Sequence, residues 1–141
     1  MTQTHTTPGA TSLVIWAGRL LVTIAVLHTV VSVALSRQNW GALASGALWL
    51  QQASTLEDYR QMATFWAVVG SFALPMALLG LVLIRLARRG VPLPGYLGWA
   101  LLGWVSLALA LLGPSGFLLG TVPAVMLILA YRRQTRHLAQ A

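Results

Sequence analysis

Two ionisable side chains stand well inside the long apolar runs of this sequence, Arg19 and His28. Placing a charge at the centre of a bilayer costs about 3 kcal/mol on insertion scales, so such residues are candidates for a functional role. A histidine there can carry a proton or hold a ligand. It can equally sit neutral and hydrogen-bonded as a structural member. Ser106 lies at similar depth and is a candidate hydrogen-bond partner for His28; Thr121 and Ser71 match in depth but are less well aimed. Arg19 is a turn or two from a helix end, about 100° around from Gly18. It can snorkel to lipid phosphate, cap carbonyls of a neighbouring helix or bind a substrate. Glu57 and Asp58 are the only acids and are adjacent, with Arg60 beside them. They can bind a cation or pair locally with Arg37 and Arg60, and an exposed pair of that kind contributes little.

Several reactions are excluded by what is missing. The chain has no cysteine, hence no disulfide, thiol nucleophile or thiolate metal site. No span holds the carboxylate that a small proton-coupled multidrug exporter needs. His5 and His137 fall outside the spans, which leaves one membrane histidine where a bis-histidine haem needs two. No HExxH or serine-protease constellation is present. No catalytic residue, metal or cofactor is expected.

These residues must be positioned by elements, and composition says of which kind. Of 141 residues 57% are hydrophobic and 8% charged, with a mean hydropathy of +0.76. That rules out disorder, a nucleic-acid-binding domain and an ordinary water-soluble enzyme. The net charge of +7 comes entirely from arginine, and its placement argues for a membrane rather than nucleic acid. Four apolar runs read as spans at about 12–35, 62–84, 95–112 and 116–131. Backbone groups in hydrocarbon must bond internally, so the spans should be helices. The expected fold is all-α, a polytopic four-transmembrane-helix bundle forming one domain over 12–131. A flexible tail precedes it over 1–11, and a basic tail follows over 132–141. A signal peptide cleaved near Ala34 is the rival for the first run. It is disfavoured because nothing basic precedes the run, Arg19 lies inside it, and it exceeds the usual apolar length.

Arginine placement sets the orientation. Arg85, Arg88 and Arg89 follow the second span, and Arg132, Arg133 and Arg136 follow the fourth. The opposite side carries Arg37, Arg60, Glu57 and Asp58, which cancel. Both termini are therefore expected in the cytoplasm. Trp16, Tyr96, Trp99 and Tyr131 form one aromatic belt, and Trp40, Trp49, Tyr59 and Trp66 the other; Trp104 fits neither. Between the first two spans, Leu43, Ala47 and Leu50 recur at helical spacing and predict a short external interfacial helix.

Helices in lipid associate through small residues. Gly18, Ala25 and Ser32 recur at sevens in the first span, with Leu21, His28 and Leu35 on the same stripe. Gly70, Ala73, Ala77 and Gly80 form the stripe of the second, and Gly103, Ser106 and Ala110 that of the third. Gly116, Gly120 and Ala124 form that of the fourth. Pro75 and Pro123 fall mid-span, where proline kinks a helix; such kinks can open a midplane cavity, and membrane helices also tolerate them without one.

The chain resembles an uncharacterised bacterial family of short four-helix membrane proteins, classed only as a domain of unknown function. The likeness rests on Trp16-Ala-Gly-Arg19, Leu27-His28, Trp40-Gly41 with Trp49, and Phe65-Trp66. Arg88-Arg89-Gly90 with prolines before Gly98-Trp99, and Pro114-Ser115-Gly116-Phe117, extend it over most of 14–131. The resemblance implies a bacterial inner-membrane protein and brings no activity or ligand. The expected function is a non-enzymatic module that binds a membrane partner or an apolar ligand. A transporter or channel subunit with a path near His28 is the alternative, and a lipid- or quinone-related enzyme the third. The lipid bilayer is the expected surrounding, with a homodimer or another membrane protein as partner and no nucleic acid.

Overall fold

The structure, a computed structural model, describes residues 8–45 and 54–138. Every element among them is helical. Helix α1 (Pro8–Ser36) opens with proline at its first position, where the missing N–H removes a donor that would lack an intrahelical partner. It starts ahead of the expected boundary at residue 12, and Ala10 is fully buried, so part of the expected tail is helix and core. A 3-10 turn (Arg37–Asn39) and a short α2 (Trp40–Ala44) follow. Most of the expected interfacial helix, including Ala47, Trp49 and Leu50, lies outside the described residues.

The second span is two helices, not one: α3 (Leu56–Val68) and α4 (Ala73–Arg88). Pro75 explains the break. It has no N–H for the Ser71 carbonyl, and its ring crowds that carbonyl. The chain therefore leaves helical geometry four residues upstream of the proline. Gly70 N–H reaches back five residues to Phe65 O at 2.9 Å. Ser71 Oγ closes the gap by donating to Val68 O at 3.1 Å and accepting from Ala73 N at 3.2 Å. Pro75 is thus the third residue of α4 rather than a mid-helix kink.

Helix α5 (Tyr96–Leu112) stops at Gly113, whose φ of 73° suits only glycine without strain. A 3-10 segment (Gly116–Gly120) then feeds α6 (Thr121–Leu138). Pro123 is again the third residue of its helix, within the first turn, where an absent N–H costs nothing. The distortion expected at Pro75 is a full break inside the second apolar stretch, whereas at Pro123 no mid-helix kink forms. Each proline stands where a helix begins.

Helix α1 packs between α4 and α6, and α5 lies on the far side of α6. The core is formed by Val14, Ala17, Leu21 and Ala25 of α1 with Leu83 and Ala87 of α4 and Leu127 and Ala130 of α6. The long helices make an arc rather than a closed square. At one end Phe72 spans the opening of the arc, with ring centroids 5.5 Å from Trp104 and 5.1 Å from Phe117. Three apolar stretches, Gly9–Asn39, Leu56–Arg88 and Gly116–Arg136, are long and apolar enough to cross a membrane, and Tyr96–Leu112 is a shorter apolar helix.

Candidate functional site

The break between α3 and α4 leaves carbonyls at the end of α3 without intrahelical donors. His28 supplies one. Its Nε2–H donates to Ala67 O at 3.3 Å, across the interface between α1 and α3. A carbonyl can only accept, so Nε2 carries the proton, and in the neutral ring Nδ1 is then an acceptor. Ser32 Oγ, one turn along α1, lies 3.4 Å from the same Nε2. The Phe72 ring covers the imidazole, with centroids 4.6 Å apart and planes tilted by 43°. His28 is half-buried and borders a pocket of about 210 Å³ lined by Ile24, Leu27, Val31, Phe72, Gly116 and Leu119. On the other flank of α1, a groove of about 390 Å³ runs between Ala25, Thr29, Val68, Ala73 and Ala77. Its one hydroxyl, on Thr29, already donates to Ala25 O at 2.9 Å.

Ser106 does not meet His28. It stands exposed on α5, because α5 turns a different face inward. Gly98 and Val105 are its buried residues, whereas a Cβ on Gly103 would meet nothing within 4 Å. The expected stripe of Gly103, Ser106 and Ala110 therefore faces outward. A Cβ on Gly98 would lie 2.8 Å from the Ile128 backbone nitrogen, which fixes Gly98 as the close approach to α6.

The other small residues divide. Gly18 and Gly80 face one another, and Ala25 is buried beside them in sequence order on α1. Ala77 is half-buried against the core. Ala124 is fully buried, and a Cβ on Gly120 would lie 2.9 Å from Val105 Cγ2. Gly116 is open, and the space at Gly70 is filled by Phe65 and Trp66 of the preceding α3. The break at residues 69–72 puts Gly70 outside the stripe it shares by counting.

Arg19 is exposed, with its guanidinium 4.9 Å from the Trp16 ring centroid, a cation–π contact at the outer surface. Glu57 and Asp58 open α3. Asp58 Oδ2 accepts from Thr55 N at 2.9 Å and Ser54 N at 3.1 Å, while Asp58 N donates to Thr55 Oγ1 at 3.2 Å. This is a capping box. The Thr55 backbone bond, then the Ser54 one, holds the Asp58 carboxyl below its usual range. Arg60 and Glu57 form a loose pair at 3.9 Å with both side chains mostly exposed, and Arg37 joins no ion pair among the described residues.

Two further features of the site lie outside the sequence expectations. The aromatic cluster of Phe72, Trp104 and Phe117 gave a signal only in Trp104, which fitted neither belt. Thr64 is the buried polar residue of the described core, 5% exposed. It accepts from Asn39 Nδ2 at 2.9 Å and donates to Arg60 O at 2.9 Å, tying the turn after α1 to α3.

Among known proteins, one family model matches residues 12–134, described as a family of unknown function (DUF6463). No curated protein matches. No solved structure matches.

Proposed function

The chain belongs to the DUF6463 family of unknown function, and from that premise we propose that it is a membrane-embedded binding module for an apolar ligand or a membrane partner. It crosses a bacterial cytoplasmic membrane four times and keeps both ends in the cytoplasm. Support for the crossings comes from the three long apolar stretches and from α5, at about 25 Å a near match to a core of about 30 Å. Support for the orientation comes from charge: Arg37 and Arg60 share one end of the arc with both acids, and every other arginine lies toward the opposite end.

The observation that carries the binding reading is the pocket beside His28. It is walled almost wholly by aliphatic and aromatic side chains, with one hydrogen-bonding ring on its border. Pockets of that make-up suit apolar ligands oriented by one polar contact. The test is mass spectrometry of lipid-like molecules that co-purify with the chain. A bound species present in the wild type and absent from Leu119→Trp, which fills the pocket, supports the reading. Identical content in both removes it.

A second reading, a transporter or channel subunit with its path past His28, is favoured by the broken second span. Discontinuous helices build the central sites of many transporters. A pH-dependent flux in proteoliposomes, lost in His28→Ala, would replace the first reading with this one.

A further inference from the structure

Helix α4 presents two kinds of residue in succession on the face opposite the core. Leu74, Leu78, Leu81 and Val82 are each more than half exposed. Immediately beyond them come Arg85, Arg88 and Arg89, also exposed. Successive residues turn by about 100°, so Leu81, Val82 and the three arginines share an arc of about 120°. Met76, Gly80, Leu83 and Ala87, the core residues of α4, occupy the other side. The outward side chains shape a groove of about 440 Å³ with Leu81, Val82 and Ile84 as its apolar part and three guanidinium groups at its end.

This charge has no counterpart among the described residues. Both acids open α3 at the opposite end, and the ion pair among the described residues joins Arg60 to Glu57. Arg19 and Arg132 rest on the rings of Trp16 and Trp99. Arg85, Arg88 and Arg89 make neither kind of contact among the described residues. The C-terminal dipole of α4 favours cations there, but it does not account for a groove that runs from guanidinium to exposed leucine. A ligand that satisfies both parts must be anionic at one end and aliphatic at the other.

We propose that this face of α4 is a binding site for an anionic phospholipid, resting on the membrane reading above. The headgroup phosphate lies among Arg85, Arg88 and Arg89, which can each offer it paired N–H donors. An acyl chain follows Leu81, Leu78 and Leu74. A zwitterionic headgroup brings its own cation to the same place and is disfavoured.

The test is native mass spectrometry of the full chain released from nanodiscs of phosphatidylcholine doped with phosphatidylglycerol or cardiolipin. The wild type is expected to retain the anionic lipid in preference. Arg85→Gln, Arg88→Gln and Arg89→Gln together should lower that preference by about fivefold per arginine, roughly a hundredfold in all. The triple exchange at Arg132, Arg133 and Arg136 removes equal charge from α6 and should leave it largely intact. Lysine at 85, 88 and 89 keeps the charge at the end of α4, and should restore much of the preference and match the wild type in thermal melting. Equal preference in the wild type and the α4 glutamine variant overturns the site, as does an equal loss in both glutamine triples. Inorganic phosphate that protects the detergent-solubilised chain from unfolding as well as the lipid does would mark a free-phosphate site and overturn the lipid assignment. Release of the chain from membranes by alkaline carbonate overturns the membrane reading itself, before any lipid is weighed.

Discussion

Gly18 of α1 and Gly80 of α4 face each other so closely that a Cβ on either would stand 2.6 Å from the carbonyl oxygen of the other. A side-chain neighbour could rotate away from such an intrusion. A helical carbonyl cannot, because its position is fixed by the ladder it belongs to. Gly18→Ala or Gly80→Ala should therefore push the two helices apart and cost about 1–3 kcal/mol. Gly103→Ala is the control, since its Cβ enters open space, and it should be neutral or stabilising by up to about 1 kcal/mol. Thermal unfolding in detergent compares the three. Indistinguishable melting of Gly80→Ala and Gly103→Ala would mean that this contact does not hold α1 against α4.

The bond from His28 to Ala67 O secures the end of α3, just before the break that Pro75 imposes. Without the imidazole the carbonyl loses its partner in an apolar setting, which costs about 1–3 kcal/mol. His28→Ala should be destabilised by that amount, and His28→Gln, whose amide can still donate, by clearly less. Hydrogen exchange should locate the loss at the end of α3 rather than at α6. If the alanine and glutamine variants are equally stable, the histidine is not needed for the bond.

Phe72 links the start of α4 to α5 through Trp104 and Phe117, where α5 otherwise packs mainly on α6. Trp104 is 40% exposed, so its loss should cost less than that of a fully buried ring. A double-mutant cycle of Phe72→Leu and Trp104→Leu should give a coupling of about 0.5–1.5 kcal/mol. Additive effects would show that the rings merely adjoin.

How far the sequence discloses this structure depends on which atoms carry the information. The extent of α5 follows from its continuous apolar run, which Gly95 and Gly113 bound. The division of the second span does not, since the apolar run continues past Gly70–Phe72 with Ser71 alone polar. Pro75 is visible in the sequence, but its effect falls on a carbonyl four residues earlier. The inward face of α5 is also hidden. Gly98 and Gly103 are equally small, and nearly every other side chain between them is apolar. The surface of α6 decides, through the backbone at Ile128. His28 is recognisable from residue type and stripe, whereas its partner is a backbone carbonyl, and no residue type encodes that. The capping box at Asp58 is the opposite case. Thr55 and Asp58 stand at the spacing that closes one, so residue type and spacing alone encode this helix end.

That box has a pH dependence whose sign is fixed. Backbone N–H groups of Thr55 and Ser54 bond the ionised carboxylate of Asp58 and hold its pKa below the ordinary aspartate range. In the unfolded chain those bonds are absent, so protons bind more readily there. The contribution is therefore fully present above the unfolded value and is lost as pH falls through the lower folded one. Over neutral to mildly acidic conditions the start of α3 should hold. It should fray only at strongly acidic pH, seen as faster amide exchange at Glu57–Tyr59 corrected for the intrinsic pH dependence of exchange. Asp58→Asn removes the titrating group, and its corrected exchange at these amides should be faster than wild type at neutral pH and flat across the acidic range. A wild-type profile equally flat would show that the carboxylate does not secure this helix end.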